Sequence, residues 1–209
     1  MIVVFDVEGV LVDGEFLPEV ARLLSREEEV REITRKGISG ERDWEQGLAQ
    51  RIELIKGVSY DSCVSVASSL PLMKGAREAM DRLRQIDSIL IGISGGFSIL
   101  ANRVKKELRL DHIFSNELVF HDGKLIGYGV LVNSNKTLIL DTAFGELLGR
   151  EKIVAVVDGA NDLDLFNIAD LRIAFNAQDV VKRRADVIIR EKNLTQVIEI
   201  IERNSHLLK

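Results

Sequence analysis

Short apolar runs recur along the chain, each bounded by Gly, Asp, Asn or Ser. They are Ile2 to Phe5, Ile89 to Ile93, Ile153 to Val157, Leu171 to Phe175 and Val187 to Ile189. Each run is too short for a helix and nearly continuous, which is typical of strands covered on both faces of a parallel sheet. Segments with helical periodicity separate the runs: Ala76 to Gln85, Phe97 to Leu108, Thr137 to Leu148 and Leu163 to Ile168. This alternation predicts an α/β fold with a doubly wound, Rossmann-like parallel sheet.

The segment between residues 16 and 70 breaks this alternation, because it contains helical patterns and no strand pattern. The helical patterns are Pro18 to Leu24, Glu27 to Lys36, Trp44 to Ile55 and Tyr60 to Ser68. We therefore expect a small helical domain over residues 15–71, inserted after the first strand. The core α/β domain is then formed by residues 1–14 and 72–209, and Pro71 with the Lys74-Gly75 pair marks the return to the sheet.

A β-hairpin is predicted within Glu117 to Val132, where His121-Asp122-Gly123-Lys124 separates two apolar runs. Asp-Gly is a strong hairpin signal because both residues tolerate the positive φ of a type I′ turn. We expect the hairpin to protrude from the core domain. In that position it offers a contact surface for a homodimer.

Composition narrows the class of protein. With 28 Lys and Arg against 33 Asp and Glu, the net charge of −5 argues against a dedicated nucleic-acid binder. No apolar run approaches the roughly 20 residues of a membrane-spanning helix, and the first residues lack the features of a signal peptide. Cys63, the single cysteine, cannot form an intrachain disulfide. We expect a cytoplasmic protein with no nucleic-acid or membrane partner.

Polar residues collect directly after the predicted strands. Asp6, Glu8 and Gly9 follow the first run, Ser94-Gly95-Gly96 follows the second, and Asp158-Gly159-Ala160-Asn161-Asp162 follows the third. In doubly wound sheets, ligands bind beyond the carboxyl ends of the strands. Asp6, Asp158 and Asp162 could then be neighbours. Their oxygen-only ligand set suits Mg²⁺, which usually binds together with a substrate phosphate.

Two further features point to an anion. Ser94-Gly95-Gly96 is expected to begin a helix, whose free N–H groups and dipole favour an anion. Lys136 follows Asn133-Ser134-Asn135 at the start of another helix, where it could bind a phosphate or stabilise a carboxylate nucleophile. Each feature alone is as readily a helix cap, a turn or a solvated side chain. Their coincidence at one sheet edge favours a phosphate site.

Four motifs lie in order along the chain: Phe5 to Val12 (FDVEGVLV), Ile93 to Phe97 (ISGGF), Lys136 in NSNK, and Asp158 to Asp162 (DGAND). Together they resemble the haloacid-dehalogenase (HAD) superfamily and, within it, the phosphoserine phosphatases. The resemblance covers nearly the whole chain, and the helical insertion is similar to that family's cap domain. It implies a HAD-type fold and Mg²⁺-dependent hydrolysis of a small phosphomonoester, O-phospho-L-serine.

The resemblance also implies residue roles. Asp6 is expected to attack phosphorus and form an aspartyl phosphate, with Glu8 as general acid and base. The expected ligands of Mg²⁺ are Asp6, the Glu8 carbonyl, Asp158 and, in support, Asp162 and Asn161. The expected phosphoryl-binding groups are Ser94, Gly95 and Lys136. In the cap, Glu15 is expected to bind the substrate amino group, Arg51 its carboxylate, and Trp44 belongs to the same pattern. Without the resemblance, Arg51 would be interpreted as a solvated helix residue.

One residue departs from the family pattern. Most of these phosphatases have Asp two residues after the nucleophile, whereas this chain has Glu8, whose extra methylene displaces the carboxyl by about an ångström. This opening also resembles bifunctional phosphoserine phosphatase/homoserine phosphotransferases, so phosphoryl transfer to homoserine stays an alternative, as does another small phosphomonoester substrate. A non-enzymatic module phosphorylated on Asp6 is a third hypothesis, and the helical lid and Glu8 count against it.

Overall fold

The sheet architecture predicted from the apolar runs is confirmed. The computed structural model describes residues 1–133, 135–204 and 208, so Ser134 of the predicted Lys136 loop lies outside the described residues. Within them, seven strands form one sheet: β1 (Ile2–Phe5), β2 (Ile89–Phe97), β3 (His112–His121), β4 (Lys124–Gly129), β5 (Ile153–Val157), β6 (Leu171–Phe175) and β7 (Val187–Ile189). The strand order is β4-β3-β2-β1-β5-β6-β7. All pairings are parallel except the antiparallel pair of β3 and β4.

Helices cover both faces of the sheet and fill the insertion. They are α1 (Phe16–Arg22), α2 (Glu27–Ser39), α3 (Trp44–Ile55), α4 (Tyr60–Ser69), α5 (Ala76–Gln85), α6 (Ser98–Leu108), α7 (Lys136–Leu148), α8 (Asp179–Lys182) and α9 (Thr195–Arg203), with a 3-10 helix at Ala160–Asn167. The four helices α1–α4 follow β1 and precede α5, so the predicted helical insertion is present. The domain bounds 1–14 with 72–209, and 15–71, stay a prediction. Among the described helices, none is long and apolar enough to cross a membrane.

Strand β1 lies in the middle of the sheet and is buried on both faces. Val3 and Phe5 pack into one apolar cluster and Ile2 and Val4 into the other, since successive side chains point to opposite faces. This explains why the run is continuously apolar. Because β1 pairs with both β2 and β5, the residue that follows it, Asp6, lies between the ends of two neighbouring strands.

The prediction that a helix begins at Ser94-Gly95-Gly96 is wrong. Strand β2 continues through Phe97, and α6 begins at Ser98. Ile93 pairs with Phe114 and Phe97 pairs with Asn116, so three residues of β2 lie opposite one residue of β3. Ser94, Gly95 and Gly96 therefore form a β-bulge, an irregularity that is common beside active sites. The segment predicted as a helix over 163–168 is part of the 3-10 helix, which begins earlier, at Ala160.

The hairpin is formed by β3 and β4, with Asp122 and Gly123 at its turn. Both residues have positive φ, 47° and 72°, as a type I′ turn requires. Its tip is not isolated, because backbone hydrogen bonds join it to the loop after α3 and to the first residue of α4. The Gly57 N–H donates to the Leu125 carbonyl (2.8 Å), and the Tyr60 N–H donates to the Gly123 carbonyl (2.9 Å). The hairpin thus contacts the helical insertion.

Candidate active site

Three aspartates meet at the carboxyl ends of β1 and β5. Asp6 follows β1, while Asp158 follows β5 and Asp162 lies in the 3-10 helix. Each offers a carboxylate oxygen, and these oxygens lie within 4.8 Å of one another. Asp6 and Asp162 are buried and Asp158 is half-buried. The structure brings together the side chains that the strand-end argument predicts to be neighbours.

Lys136 supplies a buried positive charge beneath this cluster. As the first residue of α7 it extends into the core, where Nζ donates to Asp6 Oδ1 (2.7 Å) and to the Ile93 carbonyl (3.1 Å) and forms an ion pair with Asp162. Burial lowers the pKa of Lys136, but the charges of Asp162 and Asp6 outweigh it and raise that pKa above its ordinary value. Lys136 therefore stays protonated and fixes the Asp6 carboxylate.

The aspartate cluster fits a metal ion. Burial and the charge of Asp6 raise the pKa of Asp158 well above its ordinary value and that of Asp162 to about 7. Among the described residues, Asp162 Oδ2 and Asn161 Oδ1 are buried without a hydrogen-bond partner. Gly9, at φ +82°, lies so close to Asp158 that a Cβ there would overlap its carboxylate. Close, under-satisfied oxygen donors of this kind are suited to a hard divalent cation.

Glu8, within the first motif, lies between the β2 bulge and the first inserted helix. Its Oε2 accepts a hydrogen bond from the Phe16 N–H (2.6 Å), and its Oε1 occupies the space that a side chain at Gly96 would need. Burial, aided by the Asp6 charge and opposed by the Phe16 hydrogen bond, raises the pKa of Glu8 to about 7. The longer side chain is thus accommodated, and its pKa suits proton transfer near neutral pH.

A second group of residues, Glu15 with Trp44 and Arg51 of α3, lines the same cleft. Arg51, on α3, is only 3% exposed; its Nε donates to the Gly47 carbonyl (3.2 Å) and its Nη1 to Thr34 Oγ1 (3.2 Å). The guanidinium carbon lies 4.4 Å from the centre of the Trp44 ring. None of the described carboxylates forms an ion pair with Arg51. These contacts orient the guanidinium and leave it able to bind an anion in the cleft.

Glu15 precedes α1 and lines the same cleft. Burial and the charges of Glu8 and Asp158 raise the pKa of Glu15 well above its ordinary value. The cleft is lined by residues of both the sheet edge and the inserted helices. Its walls are Asp6, Glu8, Glu15, Leu17, Ile38, Trp44, Leu48, Arg51, Ser94, Gly95, Gly96, Asp158 and Asn161. Lys136 and Asp162, also predicted from the sequence, lie beneath this surface and contact its carboxylates.

The inserted helices close the cleft from above. Ile38 packs against Gly159, and Gly40 lies against Ala160. A Cβ added at Gly95 would lie 2.9 Å from Trp44 Nε1, so the indole covers the bulge. A ligand in the cleft would therefore be enclosed between the sheet edge and α2 and α3.

A family model of haloacid dehalogenase-like hydrolases matches residues 1–170, which include every residue of the cleft. The chain belongs to the haloacid dehalogenase-like hydrolases. This membership places it among enzymes and removes the main support for a non-enzymatic phospho-acceptor.

Individual relatives of this hydrolase carry a more specific name. This chain is 33% identical over 210 residues to a phosphoserine phosphatase of Methanocaldococcus jannaschii, and the match covers 96% of this chain and 97% of that protein. It is also 33% identical over 202 residues to the phosphoserine phosphatase of Campylobacter jejuni subsp. doylei, and this match covers 95% of this chain and 98% of that protein. A solved substrate-bound phosphoserine phosphatase complex superposes with a TM-score of 0.90 at 32% identity, covering 95% of this chain and 97% of that one.

Sequence reasoning missed several residues that shape the hydrolase site. Thr34 and the Phe16 N–H, which hold Arg51 and Glu8, have no sequence signal of their own. Ile38 was not singled out because an apolar residue on a helix is expected to pack. Gly96 was placed in a helix start, whereas its role in the structure is to leave space for Glu8.

Proposed function

We propose that this hydrolase converts O-phospho-L-serine and water to L-serine and phosphate in a Mg²⁺-dependent reaction. The observation that carries the proposal is one cleft lined by two chemically different groups of side chains. The first group is Ser94 with the aspartate cluster of Asp6, and the second is Glu15 with Arg51. The names of the relatives, and the solved substrate complex of one phosphoserine phosphatase, support the same assignment.

The side chains of Arg51 and Glu15 match the charges of the amino-acid part of phosphoserine. The Arg51 guanidinium offers a planar fork of N–H donors for the substrate carboxylate. Glu15 offers an acceptor for its ammonium group. Burial first, and then the charges of Glu8 and Asp158, raise the pKa of Glu15. A cationic amino group compensates both effects, so an amino acid is favoured over an uncharged sugar.

Asp6, Asp158 and the main-chain carbonyl of Glu8 would hold Mg²⁺, supported by Asp162 and Asn161. When bound, the ion supplies the positive charge that lets these carboxylates approach a phosphate dianion. Ser94 and the Gly95 N–H bind the phosphoryl oxygens. Lys136 donates a hydrogen bond to Asp6 and holds its carboxylate in place.

The chemistry proceeds in two displacements at phosphorus. A carboxylate oxygen of Asp6 attacks and forms an O–P bond while the bond from phosphorus to the serine oxygen breaks. Glu8 donates its proton to that leaving oxygen. Ionised Glu8 then removes a proton from water, which attacks phosphorus and releases phosphate from Asp6. A pKa of about 7 lets Glu8 serve in both steps near neutral pH.

Cap movement would admit the substrate. We assign residues 15–71 to the cap and 1–14 with 72–209 to the core, with Asp13-Gly14 and residues 71–75 as hinges. The contacts of Ile38 with Gly159 and of Trp44 with Gly95 must open for phosphoserine to enter, and closing them excludes bulk water from the aspartyl phosphate.

A substrate panel tests the assignment. With Mg²⁺, kcat/KM for phosphoserine should exceed that for p-nitrophenyl phosphate and glucose 6-phosphate by at least about 100-fold. Equal activity on all three would contradict it. Adding homoserine to the phosphoserine reaction tests the transfer alternative, since phosphohomoserine would accumulate only if homoserine replaces water as acceptor.

Arg51→Met should distinguish binding of the substrate carboxylate from the reaction at the phosphoryl group. We expect kcat/KM for phosphoserine to fall by about 100- to 1,000-fold, because the carboxylate loses its charged partner. Hydrolysis of p-nitrophenyl phosphate, which has no carboxylate, should change by less than about tenfold. Arg51→Lys keeps the charge without the fork and should lie between the two. An equal loss of kcat/KM on both substrates would show that Arg51 does not bind the substrate carboxylate.

Removal of divalent cations should make stability depend on pH. Glu8 and Asp162 have pKa values of about 7 in the folded protein, above the ordinary 4.5 and 3.8. The folded state therefore holds these protons more tightly, and the resulting stability is complete below about pH 4 and lost as the pH rises through about 7. In EDTA, Tm should fall between pH 5.5 and pH 8.

Mg²⁺ should reverse this loss. At about a hundred times its Kd it contributes about 2.7 kcal/mol, or roughly 5–10 °C in Tm for a chain of this size. Because protons compete for the same oxygens, the increase should be larger at pH 8 than at pH 5.5. Differential scanning fluorimetry measures both values, and equal increases would contradict the assignment of these carboxylates.

A further inference from the structure

Asn116, in β3, is a fully buried polar residue whose carboxamide is hydrogen-bonded at both ends. Its Nδ2 donates to the Gly95 carbonyl (3.1 Å). Its Oδ1 accepts from the Leu131 N–H and the Val132 N–H, each at 2.8 Å. A buried amide with three such bonds strongly constrains the segments it joins, because leaving any of these groups unpaired is costly.

The contact with Gly95 exists because β2 bulges. Between the paired residues Ile93 and Phe97, the backbone of β2 leaves its register with β3. The side chain of Asn116, directly opposite Phe97, donates to the Gly95 carbonyl in this irregular stretch. The bulge is therefore held to β3 by a side chain, and its shape depends on that side chain.

This hydrogen bond sets the orientation of one peptide group. The Gly95 carbonyl and the Gly96 N–H belong to the same trans peptide and point in opposite directions. With the carbonyl held by Asn116, the N–H points to Ser94 Oγ and donates to it (2.9 Å). Ser94 Oγ thus accepts from the backbone, and its own O–H remains available to donate into the cleft.

The other end of Asn116 holds the chain that leads to Lys136. Leu131 and Val132 leave the hairpin, and Val132 is buried against the face of the sheet that also contains Ile93. Four residues later Lys136 donates to Asp6 and to the Ile93 carbonyl. One carboxamide therefore links the Ser94 bulge to the segment that carries Lys136.

We propose that Asn116 is a positioning residue for phosphoryl transfer, which acts through the Gly95–Gly96 peptide to direct the Ser94 hydroxyl at the phosphoryl group. The inference rests on the proposed function only in that Ser94 contacts a phosphoryl oxygen. It does not depend on serine as the leaving group.

Asn116→Asp is the test variant, because it keeps the acceptor for Leu131 and Val132 and, when ionised, loses the donor to Gly95. At pH 8, kcat should fall by roughly 10- to 100-fold, less than direct loss of a transition-state donor. The Ki for orthovanadate, a mimic of the phosphoryl group in transfer, should rise by a similar factor. The Ki for L-serine, which we expect to bind Glu15 and Arg51, should stay within about twofold of wild type.

The pH profile gives a second readout. The introduced carboxyl can donate to the Gly95 carbonyl when it is protonated, so activity relative to wild type should recover as the pH falls from 8 to 5.5. Asn116→Leu, which has no donor at any pH, should show no recovery. A residue with a purely structural role would not produce this difference.

Val132→Ala is the matched control, since it removes buried apolar contact from the same segment and leaves the Asn116 donor in place. It should lower Tm and keep kcat within about twofold of wild type. If wild type fails on phosphoserine but hydrolyses p-nitrophenyl phosphate, the proposed substrate is wrong and the same ratios are measured on the aryl ester. Wild-type kcat and vanadate affinity in folded Asn116→Asp, or an equal kcat loss in Val132→Ala, would overturn the proposal.

Discussion

Asp6→Asn is expected to lower kcat for phosphoserine by at least about four orders of magnitude. The amide has nearly the shape of the carboxylate, but it is a poor nucleophile and cannot form the aspartyl phosphate. It also removes the negative charge that pairs with Lys136 Nζ at 2.7 Å. The measurement is release of inorganic phosphate at saturating Mg²⁺ and substrate.

Asp81→Asn is the matched control for this loss. Asp81 lies on α5, where it is exposed and pairs with Arg84 rather than with the cluster. It should retain activity within about twofold, as surface substitutions usually do. Comparable residual activity in Asp6→Asn and wild type would exclude Asp6 as the nucleophile.

Lys136→Met is expected to be the second largest change, affecting both activity and folding. Without Lys136, the buried Asp6 and Asp162 carboxylates lose their cation. Removing one partner of a buried ion pair lowers the free energy of unfolding by roughly 3–5 kcal/mol. In EDTA at pH 8, denaturant unfolding should show a loss of about that size. In Mg²⁺, part of the stability should return, while kcat stays about 100- to 1,000-fold low, because Asp6 and the phosphoryl oxygens still lack the ammonium group.

Lys152→Met provides the comparison for this prediction. Lys152 pairs with Asp170 at 2.9 Å, but its side chain is 42% exposed. An exposed pair contributes about 1 kcal/mol or less. A loss of stability in Lys136→Met no larger than in Lys152→Met would contradict the account of the buried cluster.

The strand bounds that were predicted most accurately belong to short, mainly apolar runs. β1, β5, β6 and β7 begin and end at the predicted residues, because each run is followed directly by a polar residue. The end of β2 was missed for a physical reason. Ser-Gly-Gly is compatible both with a helix start and with a bulge, and only the pairing with β3 decides between them.

Some residues of the candidate site could be predicted from the sequence alone, and others could not. The clustering of Asp6, Asp158 and Asp162 could be anticipated because they follow two predicted strands, whereas Glu15 and Arg51 required the family resemblance. Asn116 lies in a run of mixed polarity, and its contact with Gly95 depends on the bulge. Hydrogen bonds between distant segments of this kind have no local pattern in the sequence.

The proposed reaction depends on transfer of the phosphoryl group of phosphoserine to Asp6. The most direct test is to mix the enzyme with Mg²⁺ and phosphoserine, quench with acid during turnover, and reduce with borohydride, which converts an aspartyl phosphate into a homoserine residue. Peptide mass spectrometry should then find this conversion at Asp6 and at no other aspartate. Continued turnover with no conversion, or conversion at Asp158 or Asp162 instead, would contradict the claim.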